Sequence, residues 1–387
     1  MADTKNWTLS GTRVIDDRVA SKAIVLGSWK SVSWSIARLL AIASLPLLAC
    51  SGDDNADKDK KDGGVGKDHS DASTVAIPCD TTDDIDLAGT WALLARYDLA
   101  LGSKTGGMVP MCPSDQTGKA NLLLLLDIQP DGAGAYSVSA VSCRLELPYV
   151  QAMVGDCDVK SQALLTVQLP MPEALIESFP KVDAAETTAS LVSSSVSIGR
   201  MHYAWGARGT KLPRWLPGGD CDGVGIGRTA TCVTECVDHC ESLVDDDNDD
   251  YPGVTVNLCG ATADQRELPC NAENPSESSI TLQGKIWMAI QTAITPTGTA
   301  KSSCEASGKF ASETEYTVVG SDSWVSSMRV SVSDVILSLP DLSGRADESI
   351  WRMIRVDGKY GAPQWGLKGD AVAKCAVVRD KGGDLID

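Results

Sequence analysis

Five of the six residues in Asp245–Asp250 are aspartates, and their spacing suits the binding of a hard cation. Asp245, Asp247 and Asp249 alternate along the chain, so a tight loop could turn all three carboxylates toward one centre. Calcium takes six to eight oxygen ligands, and a backbone carbonyl commonly serves at the seventh position of a calcium loop. Tyr251 occupies that position. The sequence therefore predicts a structural calcium site, whose ligands would be Asp245, Asp247, Asp249 and Tyr251.

The segment resembles the loop of an EF-hand but departs from it at two positions. Asp250 stands where Gly normally makes the turn, although Asp tolerates left-handed backbone angles. Val256 stands in place of the bidentate Glu at position twelve. The loop is more similar to those of thrombospondin type 3 repeats and of myxobacterial surface lipoproteins of unknown function. Without the bidentate Glu we expect a weak structural site, and Asp238 or Glu241 is the candidate to complete its ligand shell. The alternative is a solvated acidic loop.

Cysteine usage points to an oxidising compartment. The chain has 13 cysteines, and the twelve that follow Cys50 are an even number, which predicts six disulfides in an exported protein. The predicted disulfide cysteines are Cys79, Cys112, Cys143, Cys157, Cys221, Cys232, Cys236, Cys240, Cys259, Cys270, Cys304 and Cys375.

The spacing of Cys232, Cys236 and Cys240 predicts one face of a short helix. Neighbours four apart on a helix rarely have the Cβ directions of a disulfide, so we expect these three to pair elsewhere. Three cysteines nearby are available as partners, namely Cys221, Cys259 and Cys270. A hairpin bridge from Cys143 to Cys157 is predicted as well. The alternative chemistry is zinc, bound by Cys232, Cys236, His239 and Cys240.

The N-terminal residues 1–49 are predicted to be a signal peptide. A basic residue, Arg38, precedes about ten apolar or small residues that are too few to span a bilayer. Residues 47–50, Leu-Leu-Ala-Cys, resemble the lipobox of bacterial lipoproteins, which implies cleavage and fatty acylation at Cys50. The long segment before Arg38 suggests that translation starts at Val25 or Val32.

Residues 50–78 contain no aromatic side chain and predict a disordered tether. Ser51 is not Asp, so the inner-membrane retention signal of many lipoproteins is missing. We therefore expect a protein anchored by lipid to the bacterial envelope, at the outer membrane rather than the inner one.

Composition excludes several classes of protein. Lys and Arg total 34 against 52 Asp and Glu, for a formal charge of −18, and such a surface repels nucleic acid. At 43% hydrophobic and 22% charged residues the chain is not disordered throughout. Only one apolar run, near the N-terminus, is long enough to consider as a membrane element, which argues against a multi-span transporter.

From Cys79 onward the chain predicts a mainly β fold, an antiparallel barrel or sandwich with short helices. The predicted strands are 91–101, 135–147, 163–169, 188–205, 279–295, 315–319, 328–339 and 371–378, and the predicted helices are 172–179 and 345–355. The apolar run 122–127 is a buried strand or helix. The expected divisions are a first β half at 79–212, a Cys-rich calcium-loop segment at 213–271 and a second β half at 272–387.

Short matches between the halves predict an internal duplication. The motif W-G-x-[R/K]-G stands at 205–209 and again at 365–369, and TVQLP and ILSLP each precede a predicted short helix. Chance is the alternative explanation for matches of this length.

Gly89-x-Trp91 resembles the G-x-W signature of lipocalins, whose Trp closes one end of an up-and-down barrel around an apolar ligand. Arg355 is the candidate stacking partner of that Trp. The alternative is an ordinary β core in which Trp91 begins a strand. The other tryptophans could stack on sugars or serve as large core residues.

No catalytic motif of the common hydrolases or nucleotide-binding enzymes is present. His69 lies in the tether and His239 in the Cys-rich segment, which leaves His202 as the candidate catalytic histidine. We expect a binding or interaction protein rather than an enzyme. The first hypothesis is a carrier of an apolar small molecule, the alternative an adhesion or envelope-architecture protein contacting a surface glycan or protein. A carboxylate-dependent hydrolase is the third.

Overall fold

The computed structural model describes residues 79, 84–132, 134–159, 162–182, 184–215, 236–273, 280–382 and 385. They belong to one compact unit, Lys67–Asp387, and the other unit, Met1–Gly66, lies outside them. The predicted signal peptide, the lipidated Cys50 and the tether therefore fall outside the described residues. Within the described ranges, no helix has both the length and the hydropathy needed to cross a bilayer.

Most of the described chain is strand. The strands are β1 (Gly89–Gly102), β2 (Asp115–Pro130), β3 (Ala135–Glu146), β4 (Val150–Met153), β5 (Leu164–Gln168), β6 (Ala185–Val192), β7 (Ser195–Ile198), β8 (Met201–Trp205), β9 (Arg214–Trp215), β10 (Cys236–Asp238), β11 (Val254–Ala261), β12 (Leu282–Ser302), β13 (Glu305–Val325), β14 (Met328–Val330), β15 (Asp341–Gly344) and β16 (Ile350–Arg355). The α-helices are α1 (Glu173–Ser178), α2 (Val332–Ser338) and α3 (Ala371–Lys381).

Eight strands close into a ring in which every neighbour is antiparallel. The order around the ring is β1, β2, β3, β6, β7, β12, β13 and β16, and β16 closes it by pairing with both β13 and β1. Ring neighbours also follow one another along the chain, which is the up-and-down arrangement. The predicted mainly antiparallel β fold is confirmed, and the closed ring corresponds to its barrel form.

Large side chains fill the inside of the ring. The rings of Tyr97 on β1 and Phe310 on β13 meet edge to face with their centroids 5.0 Å apart, although these strands are not paired. The Tyr97 hydroxyl also lies 3.0 Å from the hydroxyl of Thr292 on β12. Trp91 and Trp351 are buried in the same core. The interior is therefore packed by aromatic and aliphatic side chains.

The five-leucine run is a strand buried on both faces. Leu122, Leu124 and Leu126 belong to the main core inside the ring. Leu123 and Leu125 belong to a second cluster on the outer side, where Val378 of α3 covers them. Because both faces are buried, the alternation that normally marks a strand is missing.

Strand β12 connects the ring to the rest of the sheet. One edge pairs with β13 along its whole length, and the other pairs in turn with β11, β8 and β7. β11 pairs with β5 and β5 with β4. The strand that follows the predicted calcium loop, β11, therefore lies directly beside a strand of the ring.

Three secondary-structure predictions are wrong. Residues 345–355 contain strand β16 instead of a helix, because both faces of β16 are covered and the strand period is hidden. Residues 371–378 belong to α3 instead of a strand; the Asp370 side chain caps this helix by accepting from the backbone of Ala373 at 2.9 Å. Residues 328–339 divide into β14 and α2, which begins at a Ser331 cap.

The predicted duplication does not extend to the architecture. The segment 79–212 contributes five strands to the ring and the segment 272–387 contributes three. TVQLP lies on β5 before a helix, whereas ILSLP lies at the end of α2 before strand β15. The two halves therefore share one barrel without repeating its elements.

The disulfides connect distant segments. The pairs are Cys79–Cys304, Cys112–Cys157, Cys143–Cys375 and Cys259–Cys270, and Cys240 is disulfide-bonded as well. The predicted Cys143–Cys157 bridge is wrong, because Cys143 lies on the outer face of β3 beneath α3. Cys221, Cys232 and the side chain of Cys236 lie outside the described residues.

The local predictions for the Cys-rich segment are also corrected. Cys259 pairs with Cys270, so these two are not partners of Cys232, Cys236 or Cys240. Cys236 lies on β10 and Cys240 begins a 3-10 turn, so the helix does not continue through them. An oxidised Cys240 has no thiolate for zinc, which removes the alternative metal site.

Candidate metal centre

The loop between the 3-10 turn and β11 brings three predicted ligands together. One carboxylate oxygen each from Asp245, Asp247 and Asp249 lies within 4.8 Å of the others. We call the segment Asp245–Asp250 the aspartate loop. Three converging carboxylate oxygens are the kind of donor set that a hard cation such as calcium uses.

The backbone of the aspartate loop wraps around its own carboxylates. The amides of Asp249 and Asp250 donate to the two oxygens of Asp245 at 3.3 and 3.1 Å. Asn248 and Asp250 adopt left-handed φ angles of 57° and 70°. Asp250 therefore makes the turn at the position where an EF-hand has Gly. The amide of Tyr251 donates to Asp249 at 3.0 Å.

The environment of Asp247 disfavours the ionised form of its carboxyl group. Burial, together with the nearby carboxylates of Asp249 and Asp245, raises the pKa of Asp247 to about 7. One of its oxygens accepts from the amide of Thr255 at 2.8 Å. The other oxygen is buried and accepts no hydrogen bond from the described residues. A bound cation would satisfy this oxygen and favour the ionised form.

Two further contacts fix the far side of the loop. The Tyr251 ring stacks on Trp287 of β12 with their centroids 4.5 Å apart. The Thr255 hydroxyl donates to Asp249. The loop is thus attached to the ring strand β12 through an aromatic pair and to β11 through Thr255.

The residues predicted to complete the shell lie elsewhere. Asp238 and Glu241 face His239, with closest nitrogen-to-oxygen distances of 3.6 and 4.0 Å. Neither belongs to the converging group formed by Asp245, Asp247 and Asp249. The remaining ligands of a cation would therefore come from loop carbonyls and water.

Sequence reasoning missed a basic residue beside the loop. Both carboxylate oxygens of Asp246 accept from the guanidinium of Arg208, and one also accepts from the amide of Gly206 at 2.6 Å. Arg208 is the basic residue of the first W-G-x-[R/K]-G motif. The two partners are 38 residues apart, so no local pattern in the sequence pointed to this pair.

A second charged cluster surrounds Arg355, which is completely buried. Its guanidinium donates to the carbonyls of Ser303, Ala88 and Asp86, each at 2.6 Å. The guanidinium carbon lies 4.7 Å from the centre of the Trp91 ring, as the sequence suggested for this pair.

The same cluster explains Gly89 and is completed by Tyr360. A Cβ atom on Gly89 would lie 2.2 Å from the Arg355 guanidinium, so only glycine fits there. The Tyr360 ring also packs against the guanidinium, and its centre lies 5.0 Å from the guanidinium carbon. The Tyr360 hydroxyl donates to Asp86 at 3.0 Å. We call Arg355, Trp91, Tyr360 and the three carbonyls the arginine cluster.

The cavities beside the core are small. Two apolar cavities, one between β11 and α2 and one beside β12 and β13, measure about 30 Å³ each. Ligand pockets usually measure roughly 300–1,000 Å³. These two cavities are therefore too small for a carried lipid or pigment.

His202, the candidate catalytic histidine, lies on β8. Its Nε2 is 3.4 Å from the side-chain oxygen of Gln291 on the neighbouring β12. That contact gives it an amide partner, and none of the described carboxylates pairs with it as the carboxylate of a catalytic triad pairs with its base.

No family model matches this chain, and no curated protein matches it.

Proposed function

We propose that this protein is a lipid-anchored, calcium-stabilised β-barrel of the bacterial envelope that acts through its outer surface, as an adhesion or envelope-architecture protein. Cys50 would hold it to the membrane, at the outer membrane rather than the inner one. Its partner would be a surface glycan or protein. The observation that carries the choice of the outer surface is the packed interior of the ring.

The surface has a groove that is much larger than the apolar cavities beside the core. A polar groove of about 640 Å³ beside β13 is lined by charges of both signs, among them Arg200, Lys211, Glu313 and Glu315. Charges of both signs in the groove can complement a polar or charged partner. The tryptophans of the core, by contrast, are buried, and the described exposed apolar side chains are scattered.

The calcium part of the proposal rests on the aspartate loop. Three carboxylates converge there and a buried Asp247 oxygen accepts no hydrogen bond from the described residues. A cation that binds only the folded loop raises stability with the logarithm of its concentration over its Kd. We expect the melting temperature of the oxidised full chain to rise with calcium and to fall in chelator. Equal melting in both conditions would remove the calcium site.

The carrier of an apolar molecule, which was the first hypothesis from the sequence, becomes the second candidate and is kept because one observation favours it. The Trp91–Arg355 stack at the end of a closed eight-stranded ring has the form that the G-x-W resemblance implies. Carriage would require the core side chains to move apart, since the interior is filled.

Native mass spectrometry of the protein extracted from its own membrane distinguishes these proposals. The surface role predicts an acyl mass on Cys50, the mass of calcium and no apolar adduct. An apolar molecule retained at one equivalent would favour the carrier. An unacylated chain with reduced thiols would overturn the envelope assignment.

A further inference from the structure

Asp246 behaves differently from the aspartates on either side of it. Asp245 and Asp247 turn toward the converging group, whereas Asp246 turns to Arg208. The Asp246 side chain is only 6% exposed, and both of its oxygens accept from the guanidinium. This carboxylate is therefore neutralised by the chain itself and is not directed at the proposed ion.

The backbone around Arg208 is held firmly against the start of the loop. The amide of Arg208 donates to the carbonyl of Ser242 at 2.7 Å, and the carbonyl of Gly206 accepts from Val244 at 3.1 Å. Gly206 has a left-handed φ of 73°, and a Cβ there would lie 2.6 Å from the Met288 carbonyl on β12. The segment 205–208 therefore presents the guanidinium from a fixed position on the barrel.

Electrostatics gives this pair a role in the loop. Adjacent carboxylates repel one another, and a guanidinium stays charged at every accessible pH. Pairing Asp246 with Arg208 removes one negative charge from the cluster and fixes the rotation of the chain at that residue. Asp245 and Asp247 are then turned to the opposite side, where their oxygens meet Asp249.

We infer that Arg208 is a positioning residue that holds Asp246 away from the ion and thereby sets the calcium affinity of the aspartate loop. This inference rests on the proposed calcium function. Within the part of the chain that the structure describes, the Arg208 guanidinium contacts Asp246 and the Ala207 carbonyl and none of the proposed ligands of the ion, so its effect on them would pass through Asp246. Loss of the residues that orient metal ligands typically weakens metal binding by about 10- to 100-fold.

The test measures calcium binding to the oxidised full chain by calorimetry, and terbium binding by luminescence. Tyr251 and Trp287 are stacked next to the proposed site, so they should transfer excitation energy to terbium bound there. Arg208→Met should weaken calcium binding by about 10-fold or more. Arg208→Lys, which keeps the charge without the planar two-pronged contact, should fall between this variant and the parent.

Arg200→Met is the matched control. The Arg200 side chain is 48% exposed, close to the 50% of Arg208, and it also pairs with a carboxylate, that of Glu313. The control should leave calcium affinity unchanged. Adding Asp246→Asn to Arg208→Met should change the affinity little further, because the two side chains act as one pair.

The outcomes separate the two levels of the proposal. If the parent chain binds neither calcium nor terbium, the calcium function fails, and this inference fails with it. If the parent binds but Arg208→Met keeps the parent affinity, the inference alone is overturned, even when the variant melts at a lower temperature. A lower affinity in the variant, partly restored by Lys, supports the positioning role.

Discussion

Two charged clusters, one around Arg355 of β16 and one in the loop before β11, compensate their buried charge in different ways. In the arginine cluster, the chain supplies the cation, and three carbonyls, two aromatic rings and the Asp357 carboxylate at 3.3 Å surround it. In the aspartate loop, three carboxylates converge, and Arg208 beside them pairs with the fourth carboxylate, Asp246. The first cluster should therefore be stable in any salt, whereas the second should depend on a cation from solution.

The largest expected effect comes from removing the buried guanidinium of Arg355. Arg355→Met leaves three buried carbonyls without their donor, and we expect it to lower the free energy of unfolding by about 3–5 kcal/mol. The loss should be equal in calcium and in chelator. Urea denaturation of the oxidised chain in both conditions measures it.

The matched control for this variant is Arg345→Met. Arg345 forms a 2.7 Å ion pair with Asp98, and its side chain is 42% exposed. Its loss should change stability by only about 0–1 kcal/mol. An Arg355 effect that differed between calcium and chelator would show that the two clusters are coupled, against the comparison drawn above.

The next effect concerns the binding of calcium from solution to the aspartate loop. With calcium at about 100 times its Kd, binding should stabilise the parent chain by about 2.7 kcal/mol. Asp247→Asn should abolish most of that gain in calcium without lowering the melting temperature in chelator, since it removes a buried charge. Thermal melting with and without calcium checks both statements.

Asp250→Asn serves as its control, because Asp250 lies in the same loop and outside the converging group. It removes the same charge, so it should keep most of the calcium response. If both variants lost the calcium response equally, the net charge of the loop alone would explain that response, and a defined binding site would not be needed.

A further effect, with opposite signs in chelator and in calcium, is expected from pH. The pKa of Asp247 is raised to about 7 in the folded chain, above the roughly 3.9 of an unfolded Asp. Between these values the folded chain binds the extra proton, so in chelator this residue makes stability rise as pH falls from about 7.5 to 4.5. In calcium the sign reverses, because protons compete with the ion. The difference between the parent and Asp247→Asn isolates this contribution from other carboxylates.

The smallest effect concerns the edge of the arginine cluster. Tyr360→Phe keeps the ring beside Arg355 and removes the hydroxyl that donates to Asp86. We expect a loss of about 0.5–1.5 kcal/mol, again the same in calcium and chelator. A loss as large as that of Arg355→Met in urea denaturation would mean that Asp86, rather than the guanidinium, holds the cluster together.

Much of the fold could be predicted where burial is one-sided or the motif is local. The second half of strand β1 alternates between buried and partly exposed residues, and the run 122–127 was limited to a buried strand or helix before the structure decided for β2. The prediction failed at β16 and α3, which both contribute residues to the second cluster on the outer face of the barrel. Apolar residues there face two partners, so neither the strand nor the helix period is visible in the sequence.

The candidate site divides in the same way. The alternating Asp245, Asp247 and Asp249 were visible because their convergence needs only a tight loop. The Arg208–Asp246 pair and the Cys143–Cys375 disulfide were not visible, since 38 and 232 residues separate their members. No short-range pattern marks such partners.

The sequence by itself determined a mainly β chain, the three alternating carboxylates, and Arg355 as the partner of Trp91. Only the tertiary structure decided which cysteines join, that the ring is closed and filled, and that Asp246 turns to an arginine. The physical reason is distance along the chain. Backbone conformation and nearby charges act over a few residues, whereas ring closure brings together side chains whose separation in the sequence carries no record of their contact.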